Sequence, residues 1–156
     1  MTDRAARGLL DTNVIVHLPG IDPAELPVET AISAITLAEL SAGPLATDDP
    51  IERAARMGRL QRVEATYQPL PFDAEAARQY GRVYATIRAT GRTPRRRLAD
   101  VLIACVALAN DLPLFTVNPQ DFTGLDEMLT IVAVTGRPTP SHDHGGPGCY
   151  FQPDPP

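Results

Sequence analysis

Short, unbroken apolar runs set between helical stretches constrain this chain more than any other feature. Residues 8–16 (GLLDTNVIV) read as a buried strand that ends in a polar turn and passes into a short apolar helical start. Residues 30–32, 113–117 and 129–134 are further strand candidates. A strand wetted on one face alternates apolar with polar residues, whereas a continuous apolar run indicates cover on both faces, as in parallel sheets. Between these runs lie helical patterns. Ser33 is placed to cap a helix through Ile35, Leu37 and Leu40 to Gly43, and Pro50 suits the first turn of a helix to about Thr66. Tyr67 to Leu70 is a short extended segment, and Asp73 caps a long helix from Ala74 to about Thr90 that stops at Gly91. A basic loop, Gly91 to Arg97, precedes an apolar helix from Leu98 to Asn110. Alternation of this kind predicts an α/β domain with a largely parallel sheet.

The chain has 156 residues, enough for one domain with a core of its own. We expect that domain to cover residues 1–134, because composition changes at Thr135. Residues 135–156 are dense in Pro and Gly without periodicity and read as a disordered tail. The tail holds an HDH triplet, His142 and His144, a weak metal-binding pattern whose plainer reading is a solvated segment. No run approaches the roughly 18 to 20 apolar residues of a membrane span. Arg4 and Arg7 precede only Leu9 and Leu10 before Asp11 interrupts, so no signal-peptide core forms. The expected compartment is the cytoplasm, where Cys105 and Cys149 would not be bridged.

All fourteen basic residues are arginine, there is no lysine, and the net charge is -5. An acidic chain is a poor nucleic-acid binder unless its acids hold divalent cations, which invert the local charge. Three acids stand where an acid is costly. Asp11 closes the first strand at its carboxyl end, the edge where open parallel sheets bind ligands. Glu39 interrupts the apolar helix ITLAEL, and Asp100 begins the helix LADVLIACVAL, which is apolar almost all round. A helix N-terminus stabilises an anion by at most about 1 kcal/mol, too little to offset burial of a lone carboxylate. Singly, each acid also fits a structural role: a turn cap, a solvated face, a first helical turn. Together, with no lysine available and no arginine in the strand or helices around them, joint coordination of a cation is the better account. Asn118 and Asp121 follow the strand at 113–117 at the same sheet edge and extend the cluster, although an Asn-Pro turn with Asp121 as a cap explains either residue equally well.

Asp-Thr-Asn-Val at 11–14, Ile-Thr-Leu-Ala-Glu-Leu at 35–40, Ala-Asp-Val-Leu-Ile-Ala at 99–104 and Phe-Thr-Val-Asn-Pro-Gln-Asp-Phe at 115–122 occur in that order. With this set the chain, from about Gly8 to Val134, resembles the PIN domain and, more narrowly, the VapC toxins of bacterial toxin–antitoxin operons. The resemblance implies a three-layer α/β/α sandwich around a mainly parallel sheet. It also implies an endoribonuclease that uses magnesium, or manganese, acts on transfer or ribosomal RNA, and is silenced by a VapB-type antitoxin. Carried over by position, Asp11 and Asp100 match the principal metal ligands and Glu39 the third acid. At the fourth position many relatives have Asp where this chain has Asn118, so Asn118 and Asp121 share that place. Thr12, Asn13 and Thr116 fall where the family has small polar residues that orient ligands. The expected products carry a 5′-phosphate and a 3′-hydroxyl, with no covalent intermediate, and His17 has no part in the chemistry.

Other α/β families with an Asp after the first strand are excluded. A haloacid-dehalogenase-type phosphatase needs an acid where Asn13 stands, and both it and a response-regulator receiver use a lysine. No glycine-rich phosphate loop follows the strand, which removes Rossmann and P-loop enzymes. A domain that binds RNA or an antitoxin without cutting stays open, and Asn118 favours it slightly. Arg92, Arg95, Arg96 and Arg97 lie just before the helix of Asp100 and suit phosphate or antitoxin contacts. Arg53, Arg56, Arg59 and Arg62 are spaced by three, which winds around a helix and makes no single stripe, so they read as a solvated face. The helices at 50–66 and 74–90 are expected to form an αα-hairpin. On it Met57, Leu60, Tyr80, Val83, Tyr84 and Ile87 serve either a partner groove or homodimer face, or the core.

Overall fold

A computed structural model of the chain describes residues 3–136, apart from the side chain of Arg96. The expectations for His142, His144, Cys149 and the tail beyond Gly136 lie outside the described residues. Four parallel strands, β1 (Arg7–Leu10), β2 (Glu29–Ala31), β3 (Leu114–Thr116) and β4 (Ile131–Ala133), form one sheet in the order β2-β1-β3-β4. Gly8 lies opposite Thr30, Leu10 opposite Phe115, and Phe115 opposite Val132. From β1 the chain builds outward to β2 on one side and to β3 and β4 on the other. The connections therefore diverge between β1 and β3, and the crevice outside their carboxyl ends is where such sheets take ligands.

Successive strand residues point to opposite faces, and this alternation divides the core in two. Leu9 and Leu114 pack with α5 (Leu98–Ala109) and with Ala76 and Val83 of α4 (Ala74–Ala89). Leu10 and Phe115 pack with Val14 and Ile15 of α1 (Thr12–His17), Leu40 of α2 (Ala34–Ala42) and Val63 of α3 (Pro50–Thr66). The helix α5 is apolar almost all round because it is covered by both sheet and α4: Val101 and every residue from Ile103 to Ala107 are buried.

Local chemistry sets the helix bounds. The Ser33 hydroxyl accepts from Thr36 N at 3.1 Å to start α2, and Asp73 accepts from Ala76 N at 3.0 Å to start α4. Pro50 opens α3, as its fixed φ favours, with Asp49 as the cap. Gly91, at φ 77°, ends the turn after α4 in a left-handed conformation that a side chain would strain. The segment after α3 is extended. Leu70 bridges Ser33 in parallel, donating its N–H to Ile32 O at 2.9 Å, and so continues the sheet past β2.

Helices α3 and α4 are consecutive, but each packs on a different neighbour, α3 on α2 and α4 on α5. Most residues considered for a partner groove belong to the core: Val83 is fully buried, and Leu60, Tyr80 and Ile87 pack against the two clusters, while Met57 stays exposed. The solvated-face reading of the α3 arginines fails for two of them. Arg53 donates to Pro44 O and Thr47 O, and Arg56 to Gly43 O at 3.0 Å. These carbonyls follow the end of α2, where acceptors lack helical partners and cations are favoured.

Phe115 lies over Gly8, and a Cβ there would sit 2.3 Å from its ring. Gly8→Ala is expected to destabilise the protein by about 1–3 kcal/mol through overpacking. Gly81, inside α4, has nothing within 4 Å of an added Cβ, so Gly81→Ala is expected to stabilise by about 0.5–1 kcal/mol. Urea denaturation of the two variants checks both signs.

Candidate active site

Asp11 is the first residue after β1, and its N–H still completes the ladder to Phe115 O at 2.9 Å. At the same point the chain turns into α1. Asp11 caps that helix: Oδ1 accepts from Thr12 N at 2.8 Å, while Oδ2 accepts from the Thr116 hydroxyl at 2.9 Å. The residue is 1% exposed. Burial pushes its pKa up to about 6, against the two hydrogen bonds, and the nearby charge of Glu39 pushes the same way.

Glu39 lies on α2, partly buried, with Oε1 accepting from the Thr12 hydroxyl at 2.6 Å. Burial raises its pKa, and the Thr12 bond opposes the rise. The Thr12 hydroxyl is also 3.0 Å from Thr36 Oγ1, and Ser33 donates to that oxygen at 3.3 Å. This polar chain, with Thr36 and Ser33 fully buried, links the start of α2 to the acids. In the sequence Ser33 was legible only as a helix cap and Thr36 gave no signal, since a lone Thr in an apolar helix is ordinary.

Asp100 sits in the first turn of α5, and its pKa is pushed up to about 7. Burial is the largest cause, then the charges of Asp11 and Glu39, with Arg97 opposing. The structure therefore brings Asp11, Glu39 and Asp100 into one electrostatic neighbourhood from three separate elements. Among the described residues, no three His, Cys, Asp or Glu side chains converge enough to enclose a metal ion by themselves. A hard divalent cation such as magnesium takes one or two carboxylates and completes its shell with water and substrate oxygens. The donor set is all oxygen, and its three members are short of positive charge, so these residues fit such an ion.

The remaining predicted residues fall around this group. Thr116, fully buried, donates to Asp11 and accepts from Asn118 N at 3.0 Å. Asn118 begins the turn Pro119–Phe122, and its Oδ1 faces Gln120 Nε2 at 3.5 Å. Asp121 is ion-paired with Arg97. Asn13 is partly buried on α1 and makes no hydrogen bond to the three acids among the described residues. Arg95 is exposed, and Arg92 donates to Gln120 O at 3.1 Å. His17 is exposed at the end of α1.

A cavity of about 410 Å³ opens beside Asp100, between the Gly91–Arg97 loop and the Gln120–Thr123 turn. It was not legible in the sequence, because its two walls are more than twenty residues apart and neither carries a motif for it.

The sequence pattern of the PIN domain family matches residues 8–127. Ribonuclease VapC5 of Mycobacterium tuberculosis is 37% identical over 134 residues, spanning 84% of this chain and 96% of its own. Ribonuclease VapC8 of the same species is 35% identical over 101 residues, 64% of this chain and 89% of its own. The crystal structure of VapBC-5, a toxin–antitoxin system of M. tuberculosis, contains a chain that superposes with a TM-score of 0.74 at 37% identity. That match covers 83% of this chain and 99% of the other.

The raised carboxyls bind protons more tightly folded than unfolded. Their stabilisation is complete below the ordinary Asp value of 3.8 and is lost as pH rises through about 6 and about 7. In EDTA the thermal midpoint is therefore expected to fall from pH 4.5 to pH 8, and Asp100→Asn should flatten that fall. Millimolar magnesium should raise the midpoint more at pH 8 than at pH 5. A magnesium effect equal at both pH values would contradict coupling of the ion to these acids.

Proposed function

The chain belongs to the PIN domain family, and from that premise we propose that it is a metal-dependent endoribonuclease, the toxin of a VapBC-type toxin–antitoxin pair. The observation that carries this reading is the burial of Asp11, Glu39 and Asp100 near the carboxyl edge of the sheet, where the charge of Glu39 makes Asp11 costlier to ionise and the charges of Asp11 and Glu39 do the same to Asp100. Such an arrangement is poor for stability and suited to an ion that cancels the repulsion.

In this reading Asp11 and Asp100 hold the ion, and Glu39, oriented by the Thr12 hydroxyl, is the third acid. Thr116 fixes one Asp11 oxygen and leaves the carboxyl a single orientation, the usual role of a partner behind a ligand. A magnesium or manganese ion bound here would polarise a phosphoryl oxygen of the substrate and lower the pKa of a water for in-line attack. Asp121 and Asn118 complete the set of candidate ligands, and Asn13 supports it from α1. Asp121 is the better placed of the two for charge, but it is released to the site only when Arg97 turns away from it. Arg92, Arg95 and Arg97 are the guanidinium groups we assign to the phosphates of RNA or to the antitoxin.

The partners proposed are a cognate VapB-type antitoxin, structured RNA such as transfer or ribosomal RNA, and a second copy of the chain in a homodimer. The compartment is the cytoplasm, where that RNA is found. Among the described residues no helix is long and apolar enough to cross a membrane.

The test is direct. Purified free of antitoxin, the chain should cleave total RNA with magnesium and not with EDTA, and Asp100→Asn should abolish cleavage. Thr12→Val should reduce it by roughly 10- to 100-fold, the usual effect of removing a group behind a ligand. Cleavage that survives EDTA or Asp100→Asn would overturn the mechanism.

A further inference from the structure

We infer that His17 on α1 and the tail residues His142 and His144 together bind one zinc-class divalent metal ion, which closes the tail back onto the end of α1. The inference is independent of the nuclease reading: its donors are imidazoles, and none belongs to the acid group.

The chain does not leave the fold where β4 ends. Val134 is buried and donates its N–H to Thr116 O at 2.8 Å. One oxygen of the Glu25 carboxyl then accepts from the Thr135 N–H, at 3.2 Å, and from the Thr135 hydroxyl. Gly136 follows, beside the last residue of α1: a Cβ there would sit 3.9 Å from His17 Cβ and 3.7 Å from Val117 Cγ1. The root of the tail is thus fixed within side-chain reach of His17. That residue is exposed, so its ring is accessible to a metal ion.

The chain has three histidines, and the other two lie in this same tail, at 142 and 144. Six residues lead from Gly136 to His142, a reach of at most about 20 Å, and a turn within them returns the pair to His17. A tether this short gives the pair a local concentration in the millimolar range around α1. Pro138 and Pro140 have few backbone states to lose on closure, while Gly136, Gly145 and Gly146 supply freedom to turn on either side. Side chains two residues apart in extended backbone point to the same side, so the His-Asp-His triplet can offer two imidazoles to one ion.

The donor type decides the metal. Imidazole suits zinc and its neighbours, whereas magnesium keeps to oxygen. Three histidines with the remaining position left to water form an established kind of zinc set. The molecule would therefore sort two cations by chemistry, one at the acids and one at the histidines. Helix α1 relates the two places: Thr12 stands at its first position and His17 at its last, about 8 Å apart along the axis. A tail clipped at His17 is held near the carboxyl edge of the sheet without using the carboxyls of Asp11, Glu39 or Asp100.

The test uses the full chain without a histidine tag, stripped with EDTA, returned to millimolar magnesium and titrated with zinc chloride at neutral pH. One zinc should bind per chain and raise the thermal midpoint, as a ligand of the folded state does. The imidazole signals of all three histidines should shift together, with the backbone amides of residues 16–18 and 135–136. His17→Ala alone, and His142→Ala with His144→Ala, should each weaken zinc by at least about tenfold, no less than loss of a group behind a ligand costs. Without zinc, His17→Ala should leave the thermal midpoint unchanged, because the residue is exposed. Asp100→Asn should leave zinc binding unchanged. Absence of zinc binding would overturn the inference. Binding indifferent to His17→Ala would also overturn it and assign the ion to the tail alone, while binding lost in Asp100→Asn would assign the ion to the acids. A doubling of mass on adding zinc, read by sedimentation, would replace closure within one chain by a bridge between two.

Discussion

The carboxyl of Asp11 accepts from Thr12 N at 2.8 Å and from the Thr116 hydroxyl at 2.9 Å, and these two bonds tie β1, α1 and β3 together at the point where the sheet connections diverge. Every other member of the site is placed relative to that junction. Thr12 follows Asp11 and holds Glu39 through its hydroxyl. Thr116 precedes the turn that carries Asn118 and Asp121. The helix of Asp100 is packed against the strand that Asp11 terminates through Leu9, and against β3 through Leu114. Displacing Asp11 would disturb all of these at once.

Hydrogen bonds to a charged group are worth about 1.5–3 kcal/mol each, yet two of them leave the Asp11 pKa raised to about 6. Burial therefore outweighs local stabilisation of the anion, and the charge of Glu39 adds to the imbalance. A fold selected for stability alone would have no reason to keep three acids in that state. The rigid surroundings, two apolar clusters and a buried α5, hold them together against their repulsion, which is how pre-organised sites are built. The arginines show the same division of labour. Arg53 and Arg56 close the end of α2, Arg97 neutralises Asp121, and Arg92 is left at the mouth of the cavity. Charge counting along the sequence does not separate these roles, because they depend on which carbonyl or carboxylate lies within reach.

Much of the architecture was legible before any coordinates. The apolar runs at 8–10 and 113–117 read as strands covered on both faces, and the caps Ser33 and Asp73, with Pro50 and Gly91, bounded three helices to within a residue or two. Asp11, Glu39 and Asp100 stood out because each breaks an apolar pattern at a cost that local structure does not offset. The pairing of α3 with α4 was less legible: adjacency along the chain favours a hairpin, but the two helices face opposite sides of the sheet, each drawn to a different cluster.

The sequence by itself determined the element types, the parallel sheet and the identity of the acids, since these follow from periodicity, backbone preference and the cost of burying charge, which are properties of short segments. Only the tertiary structure decided that Thr12 serves Glu39, that Thr116 serves Asp11, that Arg97 is paired with Asp121 and that a cavity lies beside Asp100. Those are relations between residues up to 105 positions apart, set by strand order and helix packing, and no local pattern encodes a distance across the core.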